Sequence, residues 1–515
     1  MSQNLLFLIA SLPLIMVVLA VSSRKARMAI KSGKMVLGLT TAAALSVLIY
    51  LIVNAQTDRL TIGWELVSFR FDTLSVSMLL MVSIIGLVVS RFSQNYLEGD
   101  PRQLVFVQKL LLTIALVQLL VVSGSVVNLF VCWVATSVSL QYLILHFKER
   151  KETQRAVKKK FVVARLSDLS LAVGFSLLYI EFGTVQLEGI FQDLKELSAI
   201  SANLELAGVF IVMAAMIKSV QIPFHSWILD VMEAPTPVSA LLHAGLLNAG
   251  PFLIIRFAYL MEAVTVGPVI LLALGGITAL YGTIVFPSQP AVKTSLAYSS
   301  IGHMGFSLMM CGMGLYSASL LHLIAHSFYK AHSFLSSGSA IDYHRLKQLK
   351  GNHQLQPTAL NILVGFLMTC AMYLVIAELW GGVQFQHFQK VVLGAIIITG
   401  VSSYLAKTTS LDNGLTTLLK SVALSAGVLL SFFTFEHGVE VAIASQIPET
   451  YAPGVLMKSI SISILILYVA TVFVPMLIDG KQEIKFKWET HRRNGFYLHV
   501  LLDRAFSTVN QKLSK

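Results

Sequence analysis

Lys218-Ser-Val-Gln-Ile-Pro223-Phe-His225-Ser-Trp227-Ile-Leu-Asp230-Val-Met-Glu233-Ala-Pro235-Thr-Pro237-Val-Ser-Ala-Leu-Leu-His243 decides how this chain folds. An apolar run that begins near Glu205 ends on a lysine, and Pro223 follows. Pro223 removes a backbone donor and breaks the helix. Pro235 and Pro237 punctuate a turn, and His243 then lies inside the next apolar run. At membrane depth a broken helix survives only where protein or water satisfies the freed carbonyls.

The rest of the chain makes that environment a membrane. Of 515 residues, 56% are hydrophobic and 12% are charged. A soluble protein carries roughly a quarter charged residues. That composition excludes a soluble enzyme, a disordered protein and a disulfide scaffold. Cys132, Cys311 and Cys370 lie far apart in apolar runs and make neither a metal-ligand spacing nor a disulfide framework. A crossing helix needs about 20 apolar residues. Segments of that kind run near 5–21, 35–53, 74–91, 104–122, 125–146, 157–180, 205–232, 237–262, 267–287, 293–313, 317–340, 357–378, 390–407, 415–435 and 456–478. The expectation is an all-α polytopic membrane protein of about 15 helices, with residues 1–480 as the membrane domain and 481–515 as a basic tail. Residues 1–21 read as the first helix and not as a signal peptide, because no convincing cleavage site follows.

The net charge of +12 has a pattern. Arg24, Lys25, Arg27, Lys31 and Lys34 follow the first segment; Lys148, Arg150, Lys151, Arg155 and Lys158 to Lys160 follow the fifth. Arg345, Lys347 and Lys350 follow the eleventh, and Lys481, Lys485, Lys487, Arg492 and Arg493 the last. Alternate crossings put all four clusters on one side, which the positive-inside rule makes the cytoplasm. The opposite loops carry Asp58 and Glu65, then Glu181, Glu188 and Asp193, then Glu436, Glu440 and Glu449. The N-terminus is then outside and the tail cytoplasmic. Anionic lipid, not nucleic acid, is the expected partner of the basic excess.

Ionisable groups inside spans are functional candidates by default. Asp168 lies midway along the sixth segment; it serves either a translocated ion or a helix-packing hydrogen bond. Lys218 stands beside the break, where a lysine can load and release a proton; the competing reading has it snorkel to an interface. His243 either carries protons near neutral pH or is a satisfied structural histidine. His322, His326 and Lys330 follow one another at intervals of four and share a helix face, with Lys293 and His303 on the preceding segment and His332 near the same end. With water, that polar stripe would form a proton relay. His-x-x-x-His is also a metal spacing, but Leu323 stands where a zinc protease needs glutamate.

The stretch from Lys218 to His243 resembles the signature of the antiporter-like membrane subunits, the family of the complex I subunit NuoL and the cation antiporter subunit MrpA. Phe71-Asp72-Thr-Leu-Ser, Lys293-Thr-Ser-Leu-Ala-Tyr-Ser-Ser-Ile-Gly-His303, the run from His322 to Lys330 with Ser336-Ser-Gly-Ser339 beyond, and Asn494-Gly-Phe-Tyr-Leu498 resemble further family motifs. The resemblance implies two inverted five-helix repeats, near 104–262 and 267–407, each with a broken helix. It implies that Lys218, Lys293, His322, His326 and Lys330 carry protons.

Two departures stand out. The family's Trp-Glu on the fifth helix is here Trp133-Val134, leaving Asp168 as the acidic candidate to pair with Lys218. The Phe-Ser-Lys-Asp-Glu motif of the second broken helix has no counterpart between 357 and 390; Glu378 and Lys407 are the nearest ionisable groups. A shortened chain with these losses resembles the DabB branch, the inner-membrane subunit of an energy-coupled inorganic carbon pump. That resemblance implies a channel for H+ or Na+ and no enzyme chemistry or cofactor in this chain. It implies a soluble, zinc-dependent, carbonic-anhydrase-like DabA-type partner that hydrates CO2 to bicarbonate. The alternatives are a proton-pumping NuoL-like subunit of an oxidoreductase, a cation antiporter, and a membrane anchor that transports nothing.

Overall fold

The computed structural model describes residues 3–54, 60–197, 199–339, 358–380, 387–409, 414–449, 452–478, 481–500 and 504. The basic cluster Arg345, Lys347 and Lys350, together with Asp58, lies outside them. A helix stands over every apolar segment. The first six are α1 (Gln3–Ser22), α2 (Ala26–Val53), α3 (Thr73–Tyr96), α4 (Gln103–Val121), α5 (Val126–Ile144) and α6 (Lys151–Phe182). A short α7 (Leu187–Glu196) precedes α8 (Ala202–Lys218) and α9 (Ser226–Asp230). Next come α10 (Thr236–Leu241), a π turn (Leu242–Leu246), α11 (Ala249–Arg256) and α12 (Ala258–Ala263). The rest are α13 (Val266–Val285), α14 (Val292–Gly312), α15 (Tyr316–Leu335), α16 (Ala359–Leu379), α17 (Phe388–Thr409), α18 (Gly414–Ile443), α19 (Val455–Ile478) and α20 (Gln482–Arg493).

Among the described residues, 11 helical stretches are long and apolar enough to cross a membrane. The fold is that of a mostly helical, multi-pass membrane protein. Three of the helices outside that group are informative. α8 stops short at Lys218, and α14 and α15 carry the lysines, histidines and serines that make a site.

Three sequence expectations need correction. The chain is not wholly α-helical: Leu60–Gly63 (β1) and Ser68–Phe71 (β2) form an antiparallel ribbon, with Leu60 opposite Phe71. Glu436 and Glu440 do not lie in a loop; both belong to α18, and Glu436 is buried. Lys160 does not belong to the solvated basic loop; it is buried on the inner face of α6. In addition, α7 is amphipathic: Leu187, Ile190, Phe191 and Leu194 are buried at helical spacing.

Local chemistry fixes the helix ends. The carboxylate of Asp72 caps α3 by accepting from the Ser75 amide at 2.9 Å, and the hydroxyls of Ser125 and Ser201 cap α5 and α8 in the same way. One buried core joins α1 through α15, and a second joins α13, α14 and α15 to α17 and α19. Small residues allow the closest approach, between α13 and α14. A Cβ on Gly282 would strike the backbone of Gly302, and one on Gly275 would meet the backbone of Met309 and Gly305.

Candidate ion-translocation site

The break falls where the prolines place it. α8 ends at Lys218, and Val220 adopts φ 54°, a left-handed conformation that a β-branched residue rarely takes. Such strain costs of order 1–3 kcal/mol and persists only where the surroundings impose it. The surroundings are specific. The Ser219 hydroxyl donates to Leu247 O at 2.7 Å, the Ile222 amide to Thr278 Oγ1 at 3.3 Å, and the Gln221 amide to Met216 O at 3.0 Å. A Cβ on Gly250 would collide with Ser219 and the Ala215 carbonyl, so glycine there lets α11 cross the broken end. Pro223 is exposed, whereas Pro235 and Pro237 are buried in the turn that starts α10.

Lys218 Nζ donates to Trp133 O at 3.0 Å and to Ser137 Oγ at 2.9 Å, and it sits 4.4 Å from the Trp133 ring. Neutral acceptors and a π face thus occupy the place where the family pattern has glutamate. Asp168 does not contact Lys218 directly; its carboxylate meets Arg165, one turn away on α6, at 2.6 Å. Lys160 Nζ donates to Ser137 O at 2.8 Å, so buried Lys160 and half-buried Lys218 share one serine. Beside them opens a small cavity, lined in part by Ser137, Lys160, Ser167, Lys218 and Trp227.

Leu242, Leu246 and Leu247 form another wall of that cavity. The π turn they flank also carries His243, which is fully buried and stacks on Phe334 of α15 at 4.4 Å between ring centroids. π turns of this kind occur mostly at functional positions. Beyond His243 lies the second cluster. Lys330 is buried and donates to Leu296 O at 3.0 Å. Asn248 of the π-turn region donates to Ser327 Oγ at 2.6 Å. His303 Nδ1 and His322 Nε2 lie 3.3 Å apart, and the ring centroids of His303 and His326 are 5.0 Å apart. Neither ring nitrogen of His243 or His326 has a hydrogen-bond partner among the described residues. Lys293 stands apart from the histidines; it donates to Ala234 O at 3.2 Å, one turn from the carbonyl that holds Lys330.

Other singled-out groups play no part in this file. Asp230 and Glu233 bind the first turns of α6 through Lys159 at 2.8 Å and Arg150 at 3.4 Å. His332 and Glu378 are exposed, and the side chain of Lys407 lies outside the described residues. Among the described residues, no group of three or more His, Cys, Asp or Glu is arranged to hold a metal ion.

A helical membrane protein with two lysine clusters inside its bundle, on either side of a broken helix, has the build of an antiporter-like subunit. The family described as NADH:quinone oxidoreductase/Mrp antiporter, transmembrane, matches residues 123–392, and the complex I chain 5 N-terminal family matches 59–107. The probable inorganic carbon transporter subunit DabB of Hydrogenovibrio crunogenus is 29% identical over 96% of this chain and 91% of its own length. DabB2 of Halothiobacillus neapolitanus is 30% identical over 88% of this chain and 83% of its own. NADH-quinone oxidoreductase subunit L of Mycobacterium tuberculosis is 34% identical, but over 53% of this chain and 43% of its own. The chain thus belongs to the NADH:quinone oxidoreductase/Mrp antiporter family, and within it to the DabB inorganic carbon transporter subunits. Two solved structures share the fold. One is the Mrp complex from Dietzia sp. DQ12-45-1b, with a TM-score of 0.65 and 22% identity over 99% of this chain and 60% of that one. The other is the archaeal membrane-bound sulfane sulfur reductase, with a TM-score of 0.59 and 18% identity over 97% and 99%.

Proposed function

We propose that this chain conducts protons, or Na+ in their place, across the inner membrane and couples that flow to CO2 hydration in a soluble, zinc-bearing DabA-type partner. The observation that carries the reading is the pair of lysine clusters within the helix bundle, buried Lys160 with half-buried Lys218 and buried Lys330 with its histidines, joined through the His243 turn. Charges are costly in a membrane interior and mark ion paths there. Two ammonium groups on one serine repel each other, so a proton arriving on one favours departure from the other. Asp168, held by Arg165, supplies the compensating charge from two turns along α6 from Lys160. His243 and His326, whose buried ring nitrogens have no hydrogen-bond partner among the described residues, are placed to be bridged by water. The catalysis belongs to the partner and the ion path to this chain.

In this reading the helices make about 15 crossings as two inverted repeats, with the N-terminus outside and α20 on the cytoplasmic side where the partner docks. The chain is expected to copurify with a soluble zinc protein, and Lys218→Ala to abolish energy-driven bicarbonate accumulation while leaving the complex assembled. Copurification with quinone-oxidoreductase subunits would favour the redox-pump reading. Unchanged accumulation in the Lys218→Ala variant would favour the anchor.

A further inference from the structure

The path described so far stops at His322, inside the protein. The structure continues it. His303 and Ser307 on α14 are one turn apart, as are His322 and Ser319 on α15, and the two serine hydroxyls meet at 2.7 Å. At the adjacent end of α15 the Ser317 hydroxyl donates to Glu436 Oε1 of α18 at 3.2 Å. Glu436 is 3% exposed. One turn further along α18, Glu440 binds Lys390 of α17 at 2.8 Å, and Lys390 is itself buried. Ser317, Lys390, Glu436 and Glu440 therefore gather where α15 and α17 begin and α18 ends, the end opposite Lys330.

We propose that Glu436 is the outer ion-carrying group of this chain, linked to the histidines through Ser319 and Ser307 and opening outward past Glu440 and Lys390. The proposal deepens the ion-conduction reading and rests on it. A proton leaving an imidazolium of the His303/His322/His326 group passes along the hydroxyls and bridging water to a Glu436 oxygen. The imidazole and the carboxyl are then both neutral. Release of the proton to outer water restores the carboxylate. The Ser307–Ser319 pair and the Ser317–Glu436 contact place hydroxyls on both sides of the gap that water would bridge, and a buried ionisable group in a membrane helix is otherwise a burden.

The test is proton flux into proteoliposomes of the full chain, driven by a potassium diffusion potential and read with an internal pH dye. Glu436→Gln should lower flux more than about tenfold, Glu436→Asp should recover part of it, and Glu449→Gln, a carboxylate in the exposed loop, should match the wild type. Wild-type flux in a correctly folded Glu436→Gln protein, even a less heat-stable one, would make Glu436 a structural anchor and overturn the proposal. Should that variant fail to give monodisperse protein, Ser317→Ala decides: severalfold slower flux supports the proposal and unchanged flux overturns it. Wild-type chain no faster than empty liposomes, both with the pH dye and with a Na+ dye under a Na+ gradient, would instead reject the ion-conduction reading itself.

Discussion

Lys218 is held by a carbonyl, a hydroxyl and an indole ring, and not by a carboxylate. None of these partners locks the proton on Nζ as a direct ion pair would, which suits a group that must both take and give. Lys218→Arg should therefore be as damaging as Lys218→Ala in energy-driven bicarbonate accumulation, because a guanidinium keeps its charge but does not release its proton; uptake near wild type in the arginine variant would contradict this. Lys218 was legible in the sequence because it ends an apolar run at a break. Its partner Lys160 was not, because it closes a run of three lysines that reads as a loop. The available signal was phase: Lys160 shares a helix face with Ala156, Val163 and Ser167, all buried. Glu436 escaped for a related reason, since a lone carboxylate near a span end looks like an outer-loop charge until α18 is seen to run on to Ile443.

Between elements, two contacts tie the broken-helix region to its surroundings. The first is a buried ion network at one end of the bundle. Arg256 at the end of α11 grips Asp72 at 2.5 and 3.0 Å, Arg70 of β2 reaches the same carboxylate at 2.6 Å, and Arg70 also meets Glu188 of α7 at 2.7 Å. Burial alone would raise the Asp72 pKa, but the Arg256 and then the Arg70 guanidiniums outweigh it and hold the carboxyl well below its ordinary value. A depressed folded-state pKa gives stability that is present above the unfolded value, near 3.8, and is lost as pH falls below it. Asp72→Asn should cost about 3–5 kcal/mol at neutral pH and remove part of the acid sensitivity; a melting temperature equal to wild type would refute the pinning role. The motif Phe71-Asp72-Thr-Leu-Ser was visible in the sequence, but two arginines so distant in the chain could not be matched to it without the fold.

The second contact joins the tail to the break. Tyr281 Oη donates to Gly495 O at 3.1 Å and lies 3.3 Å from His225 Nε2, just past Pro223. Gly495 has φ 54°, and a Cβ there would come within 2.9 Å of the hydroxyls of Tyr298 and Tyr281. Gly495→Ala should release α20 and raise its protease sensitivity in detergent, leaving the membrane helices intact. Equal digestion rates would show that the tail is held elsewhere.

At the scale of the molecule, the contacts sort into two rims. One holds Arg70, Asp72, Glu188 and Arg256; the other holds Lys159 with Asp230, Arg150 with Glu233, and Gln289 with the Arg493 carbonyl. The break at 218 was foretold by Pro223. Between 357 and 390 the sequence offered no counterpart of the second broken-helix motif, and α16 runs as one helix from Ala359 to Leu379. The rims make orientation testable. A cysteine at Glu65 should react with an impermeant thiol reagent in right-side-out vesicles, and one at Glu489 only in inverted ones; the reverse pattern would turn the protein over. The central claim is that the lysines of the two clusters carry the ion. Proton flux through proteoliposomes of the wild-type chain, Lys218→Ala and Lys330→Ala tests it most directly. The account predicts flux above empty liposomes for the wild type and a loss of more than about tenfold in each variant; equal flux in all three would contradict it.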